Sequence, residues 1–351
     1  MKIFLVISLV IILFFAVVLL LGWLFSAPVY KGPVSDHFNG KKFLNPGNVK
    51  QPGFKDMLKW VRNRERGIWT EIKEAAPSDP PGRVEGDLIV TTFVNHSTFL
   101  IQTRGKNFLT DPVWSERASP LSFAGPRRMR PPGIRFENLP EIDIILLTHN
   151  HYDHLDIKTL LRLVEKYHPK IYCPLGVGLY LERKGIGNVQ EMDWWDSAEI
   201  DEGLSLISTP AQHFSGRGMF DRDRTLWCGF ALVSGKGSIY YSGDTGYGNF
   251  FAEIAEKISP IRLAFLPIGA YQPEWFMAPI HTSPSDALKI HHEIGSPKSI
   301  AMHFGTFPLA DDGMEEAAEE LEKLKMLEQS DPESFIVLKE GKSIEIGMTS
   351  L

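Results

Sequence analysis

From Asp143 to Asp156 the chain reads Asp-Ile-Ile-Leu-Leu-Thr-His-Asn-His-Tyr-Asp-His-Leu-Asp. Ile144 to Leu147 are apolar without alternation, which suits a strand buried on both faces. His149, His151, Asp153 and His154 follow at once, on a tight loop at the strand's carboxyl end. Three imidazoles and a carboxylate so close in sequence converge on a small volume, and crowding them there neutral and unpaired is costly. A divalent metal, zinc first, accounts for the cluster, because imidazole and carboxylate are its preferred non-thiolate ligands. A solvated His-rich loop would not need to sit where an apolar strand ends. The stretch predicts a metal site at the rim of a sheet.

At 351 residues, 43% of them hydrophobic, the chain can bury a sizeable core and accommodate one layered α/β domain of about 260 residues. A net charge of −6 gives no basic footprint for nucleic acid, so none is expected as a partner. Cys173 and Cys228, the only thiols, are too few for a disulfide framework or a thiolate zinc cage and read as buried free cysteines.

Ile3 to Phe25 is an uncharged run dense in Leu, Ile, Val and Phe. As a helix rising about 1.5 Å per residue it spans a hydrocarbon core of about 30 Å. A cleaved signal peptide has a shorter apolar region, about 7–15 residues, and Pro28 sits where cleavage after Ala27 would need an ordinary residue. The reading is therefore an uncleaved single-pass anchor over 1–30, inserted in the lipid bilayer through residues 3–25. Lys2 on one side and Lys31, Lys41 and Lys42 on the other leave its orientation, and the side of the catalytic domain, open. Residues 31–85 are rich in Pro and Gly and read as an extension wrapping the catalytic domain. A helical patch from Asp56 to Arg66 should turn Met57, Leu58, Trp60 and Val61 inward.

Over 86–351 strands alternate with helices. Strands are expected at Leu88–Val94, Thr98–Gln102, Ile171–Cys173, Leu204–Ser208, Arg262–Leu266 and Ser299–Met302, with a hairpin turning at Gly235-Lys236-Gly237. Helices are expected at Ile157–Tyr167, with Leu160, Leu161 and Val164 facing inward, at Gly176–Arg183, at Ser285–Glu293 and at Glu315–Leu327. Three further ligand candidates, His213, Asp244 and His303, each follow an apolar strand. Each alone reads as an ordinary polar residue; their shared position marks one rim of a two-sheet sandwich flanked by helices.

The hexad His-Asn-His-Tyr-Asp-His fits the His-x-His-x-Asp-His signature of the metallo-β-lactamase superfamily. Further blocks resemble its N-acylphosphatidylethanolamine phospholipase D family in order and spacing: Leu109-Thr110-Asp111-Pro112, Arg117-Ala118-Ser119-Pro120, Asp193-Trp194-Trp195, Gly243-Asp244-Thr245-Gly246-Tyr247, Pro267 to Tyr271, Trp275-Phe276-Met277 and His303 to Phe307. The resemblance spans residues 40–340 and implies an α/β fold, the αββα sandwich. It implies two zinc ions per chain, one held by His149, His151 and His213, the second by Asp153, His154 and His303, with Asp244 bridging. It also implies a phosphodiesterase that cuts N-acylphosphatidylethanolamine to N-acylethanolamine and phosphatidic acid through a metal-bound hydroxide, with Asp153, Asp244 and His281 as the catalytic groups. His281 and His291 match family histidines. His281 would bind phosphate or protonate the leaving alkoxide; His291, on a helix, reads equally as a packed residue.

Asp111 is expected to accept a hydrogen bond from a liganding imidazole, or else to be a turn aspartate. His96 is a supporting group near the metals or a hydrogen-bonded core histidine. Tyr271, Trp275, Phe276 and Met277 form an apolar cluster that reads as core by itself, and with the resemblance as a contact for a membrane phospholipid. The alternatives are a dizinc lactonase, a phosphodiesterase on a soluble substrate, and a non-catalytic membrane metal-binding protein. Oligomeric state is open, a homodimer included.

Overall fold

The structure, a computed structural model, describes residues 2–74 and 77–347. Its strands form two mixed seven-stranded sheets. The first comprises β1 (Ile89–Asn95), β2 (Thr98–Thr103), β3 (Lys106–Thr110), β4 (Ile144–Leu146), β5 (Lys170–Pro174) and β6 (Val189–Met192), in that spatial order. The second comprises β7 (Ser197–Asp201), β8 (Leu204–Thr209), β9 (Gly229–Ser234), β10 (Gly237–Tyr241), β11 (Ile261–Pro267), β12 (Ser299–Met302) and β13 (Phe335–Ile336), also in order. The last strand, β14 (Ser343–Ile346), returns to pair antiparallel with β1 and closes the first sheet's edge.

Side-chain alternation along β4 accounts for the layering. Ile144 and Leu146 join the core shared with the second sheet; Ile145 and Leu147 point the other way, into a second core beneath the helices. Successive strand residues face opposite sides, so a strand apolar throughout must be covered twice. Between the sheets Phe99 meets Phe265 at 4.6 Å between ring centroids. The helices α3 (Ile157–Tyr167) and α4 (Val177–Glu182) cover the outer face of the first sheet through Leu160, Leu163 and Leu181. Leu161, expected inward, is 42% exposed, because the stripe follows positions 160 and 163. Outside the second sheet lie α5 (Phe250–Ile258), α7 (Pro284–Glu293) and α8 (Glu316–Glu328), which supply Ile254, Leu288 and Leu321 to the shared core. This is the αββα sandwich.

Before the sandwich, α1 (Lys2–Phe25) is long and apolar enough over Phe4–Phe25 to cross a membrane, and of that stretch Gly22 alone is buried. Its end is docked. The Ala27 N–H donates to Asp221 Oδ2 at 2.7 Å and the Phe220 N–H to Ser26 Oγ at 3.2 Å. A Cβ on Gly218 would fall 2.5 Å from the Gly22 carbonyl, so only glycine allows this approach.

The extension then runs over the domain surface. Phe38 and Phe43 bury against Trp227 and Leu226, and the Phe43 N–H donates to Asp223 O. In α2 (Phe54–Arg62) only Trp60 turns inward, stacking on Phe276 at 5.0 Å. Leu58 and Val61, expected inward, are 50% and 56% exposed. Trp60 packs on that other face because its indole N–H reaches Asp311 at 2.8 Å.

Candidate metal centre

The ligand candidates arrive from four strand ends and meet at one rim. His149, His151, Asp153 and His154 follow β4, His213 follows β8, Asp244 follows β10 and His303 follows β12. Parallel pairing of β10 with β11 and of β11 with β12 brings the last two together. Gly243 turns the chain into Asp244 at φ 63°, where a Cβ would strike Thr148 and the Cys228 carbonyl. His96, Asp111 and His303 also have positive φ, at 49°, 33° and 60°. Non-glycine residues rarely adopt that region, and such strain concentrates at functional sites.

The ligand atoms fall into overlapping groups, each within 4.8 Å: His149, His151 and His213; His96, Asp153, His154 and His303; His149, His154 and Asp244; His213, Asp244 and His281. Asp244 Oδ2 is the hub, 2.9 Å from His303 Nε2, 3.1 Å from His154 Nε2, 3.7 Å from His213 Nε2 and 4.0 Å from His149 Nε2. His151 Nδ1 lies 2.8 Å from His149 Nε2 and 3.2 Å from His213 Nε2. His154 Nε2 and Asp244 Oδ1 are buried without a hydrogen-bond partner.

Far ring nitrogens decide which atoms are free. His154 Nδ1 donates to Asp111 Oδ2 at 2.8 Å and His213 Nδ1 to the Ile280 carbonyl at 2.8 Å. Both acceptors lack a proton, so each Nδ1 carries one and each Nε2 can serve as a ligand.

Burial pushes His149 and His213 well below the usual histidine range and His151 to about 4. Burial also opposes a charge on His154 and His303. Asp244 and the carboxylates around it prevail, raising His154 well above its ordinary value and His303 to about 9. Burial likewise opposes ionised Asp153 and Asp244, yet His154 above all holds both well below the carboxylate range. Two buried anions with convergent imidazole lone pairs and orphaned polar atoms are what a cation satisfies. These residues fit a divalent metal.

A family model described as a beta-lactamase superfamily domain matches residues 106–304. The chain is 35% identical over 304 residues to the N-acyl-phosphatidylethanolamine-hydrolyzing phospholipase D 1 of Caenorhabditis elegans, covering 81% of this chain and 84% of that protein. It belongs to the N-acylphosphatidylethanolamine phospholipase D family of the metallo-β-lactamase superfamily. The mitochondrial phospholipase D of the same description from Saccharomyces cerevisiae is 34% identical over 242 residues, 67% of this chain and 52% of that one. Among solved structures, Igni18, a metallo hydrolase from Ignicoccus hospitalis, superposes with TM-score 0.56 at 21% identity, over 75% of this chain and 100% of that one. That likeness concerns the fold. Membership makes this chain a metal-dependent hydrolase.

The remaining predicted residues of this family member divide. Asp111 is fully buried. Besides His154, its carboxylate accepts from the Thr148 N–H and Oγ1 at 2.8 and 2.7 Å and lies 2.8 Å from the Tyr241 hydroxyl. His96 Nε2 lies 3.0 Å from Asp153 Oδ2. His281 stacks 5.1 Å from His303 and meets His213 edge-on at 5.0 Å, with its Nδ1 buried and unpartnered.

His291 is not brought to the centre. Its Nδ1 pairs with Ser299 Oγ at the start of β12, whereas His303 follows the other end. Tyr271 is buried in the main core with its hydroxyl on Glu320 at 2.5 Å. Phe276 and Met277 are buried in a smaller cluster with Phe214 at its edge. Of the four apolar residues only Trp275 meets solvent, 48% exposed. In α6 (Glu274–Met277) Trp275 shares the outward face with Glu274 while Phe276 and Met277 turn inward, and Tyr271 precedes the helix.

Residues outside that prediction also hold the site. Arg217 Nη1 donates to the carbonyls of Asn150 and Leu155 at 2.7 and 2.9 Å, clamping both ends of the metal loop, and lies 3.8 Å above the Tyr152 ring. Phe214 packs on His151 at 4.4 Å. An arginine in a Ser-Gly-Arg-Gly segment reads as solvated, and no local signal marks it. Beside Tyr152 a cavity of about 560 Å³ opens, lined among others by Phe25, Trp114, Tyr180 and Arg217.

Proposed function

We propose that this protein is a zinc-dependent phosphodiesterase of the phospholipase D type. It would hydrolyse N-acylphosphatidylethanolamine to N-acylethanolamine and phosphatidic acid, while held on the bilayer by α1 as an uncleaved single-pass anchor. The observation that carries the reading is Asp244 Oδ2 within reach of four imidazole nitrogens from both ligand triads, the position of a bridging carboxylate. Two zinc ions held there would lower the pKa of a shared water and neutralise charge on a phosphoryl group.

The chain's own residues supply the rest. Asp111, Thr148 and the Ile280 carbonyl aim the ligand rings, and Arg217 fixes the loop that carries them. Net hydrolysis forms a bond from water oxygen to phosphorus and breaks the bond from phosphorus to the ethanolamine oxygen, which leaves needing a proton. His281 faces the centre from β11's side and is the group to hold that proton or to bind the phosphate. Burial keeps it neutral in the free protein, its pKa pushed down to about 3 despite Asp244; a phosphodiester anion beside it acts in the opposite sense.

Lipid as substrate is supported by the names of the relatives and by access. The cavity beside Tyr152 is lined by Phe25, the last residue of the apolar helix, and by Tyr152 and Leu155 of the metal loop, though by none of the ligand residues, so an acyl chain held there would lie against that loop. A tethered enzyme also meets such a substrate at high effective concentration. The test uses full-length protein of measured zinc content in mixed micelles. Release of N-acylethanolamine, with much weaker hydrolysis of small soluble phosphodiesters, is expected. Silence on the lipid together with opening of lactones refutes the phospholipase reading.

A further inference from the structure

His213 lies in residues 210–216, which form neither strand nor helix, so no ladder of backbone hydrogen bonds fixes its main chain. The extension supplies the missing partners. The His213 N–H donates to Asn45 Oδ1 at 2.9 Å, and the His213 carbonyl accepts from Gln51 Nε2 at 2.8 Å. Asn45 is buried, 5% exposed. The Gln51 amide is oriented in turn, because its Oε1 accepts from Arg222 Nη2 at 2.9 Å. With the ring held at Nδ1 by Ile280, all three polar handles of this residue are occupied and Nε2 alone faces the centre. Two of those handles belong to a segment more than 160 residues away in sequence.

We propose that Asn45 and Gln51 are positioning residues of the metal centre, so that the N-terminal extension completes the His149, His151 and His213 triad. The inference rests on the metal centre and not on the lipid substrate. Partners that orient a metal ligand typically contribute 10–100-fold to metal affinity. In contrast, a segment that merely covers a surface contributes nothing specific to one metal.

Full-length Gln51→Ala and Asn45→Ala, loaded with zinc and titrated with a chelator, should lose one of two ions at about 10–100-fold lower chelator concentration than wild type. The second ion should follow the wild-type course. Loaded with cobalt(II), both variants should show an altered visible absorption spectrum. Asn45→Asp keeps the acceptor oxygen and exchanges an Nδ2 that has no partner for a second, anionic oxygen; that acceptor for the His213 N–H should restore wild-type behaviour. Lys42→Ala breaks the extension's contact with Asp223 at 3.4 Å without touching His213, and should leave both ions unchanged.

Wild-type chelator resistance and an unchanged cobalt spectrum in Gln51→Ala overturn the proposal. Half-buried Gln51 keeps that test available even where Asn45→Ala fails to fold. Failure of Asn45→Asp to rescue a folded Asn45→Ala, or equal metal loss in Lys42→Ala, also overturns it, since either marks general loosening. Every readout is metal content or spectrum, so absent lipid turnover cannot be mistaken for a negative result.

Discussion

Asp111→Asn should strip the centre of metal affinity while leaving the fold standing. The substitution is nearly isosteric, and asparagine tolerates the left-handed backbone at position 111, φ 33°, as readily as aspartate does. What changes is the hydrogen-bond inventory. Asp111 Oδ1 accepts from the Thr148 N–H, and Oδ2 from His154 Nδ1 and Thr148 Oγ1, with the Tyr241 hydroxyl in reach. An amide placed either way turns an NH2 toward an N–H, at Thr148 or at His154. Tyr241 and Thr148 can redirect their hydroxyls, to Ser97 O at 2.7 Å and His149 Nδ1 at 3.0 Å; the two N–H groups cannot.

A hydrogen bond to a charged group contributes about 1.5–3 kcal/mol. An effect of that size on His154 corresponds to about 10–100-fold in metal affinity, the range found for partners of metal-bound histidines. Chelator competition on the zinc-loaded variant reads the affinity, and kcat/KM on mixed micelles reads the consequence. Circular dichroism checks the fold. A folded Asp111→Asn variant that keeps zinc within twofold of wild type refutes the claim that Asp111 fixes the His154 ring.

Asp244→Ala removes the hub, and should lower kcat/KM by at least several kcal/mol of transition-state stabilisation; near wild-type turnover in folded protein rules Asp244 out as the bridge. Trp275→Ala should weaken lipid turnover more than turnover of a soluble phosphodiester reporter, on the proposal that its exposed ring meets acyl chains, whereas equal losses mark it as structural. His37 lies between Asp36 and Asp193 at 2.6 and 2.7 Å. Burial opposes its charge, but the two carboxylates prevail and raise its pKa. A raised histidine pKa stabilises the fold below the unfolded value of about 6.5 and loses that contribution as pH climbs through the folded value. His37→Gln should therefore lower Tm more at pH 6 than at pH 9, and an equal drop at both refutes the pairing. Full-length protein should resist alkaline carbonate extraction from membranes with the first 27 residues present by intact mass; a mature chain starting near Pro28 identifies a signal peptide instead.

Local sequence was enough for most of what depends on neighbours along the chain. The unbroken apolar run before His149 predicts a doubly covered strand, because side chains alternate and both faces must be dry. Helical spacing places Ile157–Tyr167, and the His-x-His-x-Asp-His hexad presents four ligand groups from one loop. The same logic fails where a residue's role depends on distant chain. The helix at Phe250–Ile258 went unpredicted although Phe250, Phe251, Ile254 and Ile258 are buried at helical spacing, and the strands at 189–192 and 197–201, half exposed, carry little apolar pattern to read.

Composition alone could not separate Trp275 from Tyr271, Phe276 and Met277, or His281 from His291. Only packing distributes them, through one short helix and through opposite ends of β12. Arg217, Asn45 and Gln51 look like solvated loop residues until the β8 to β9 connection is folded over the metal loop and the extension is laid across it. The physical reason is that a ligand's identity is written in its own side chain, whereas its aim is set by hydrogen bonds from whichever backbone and side chains the fold brings alongside.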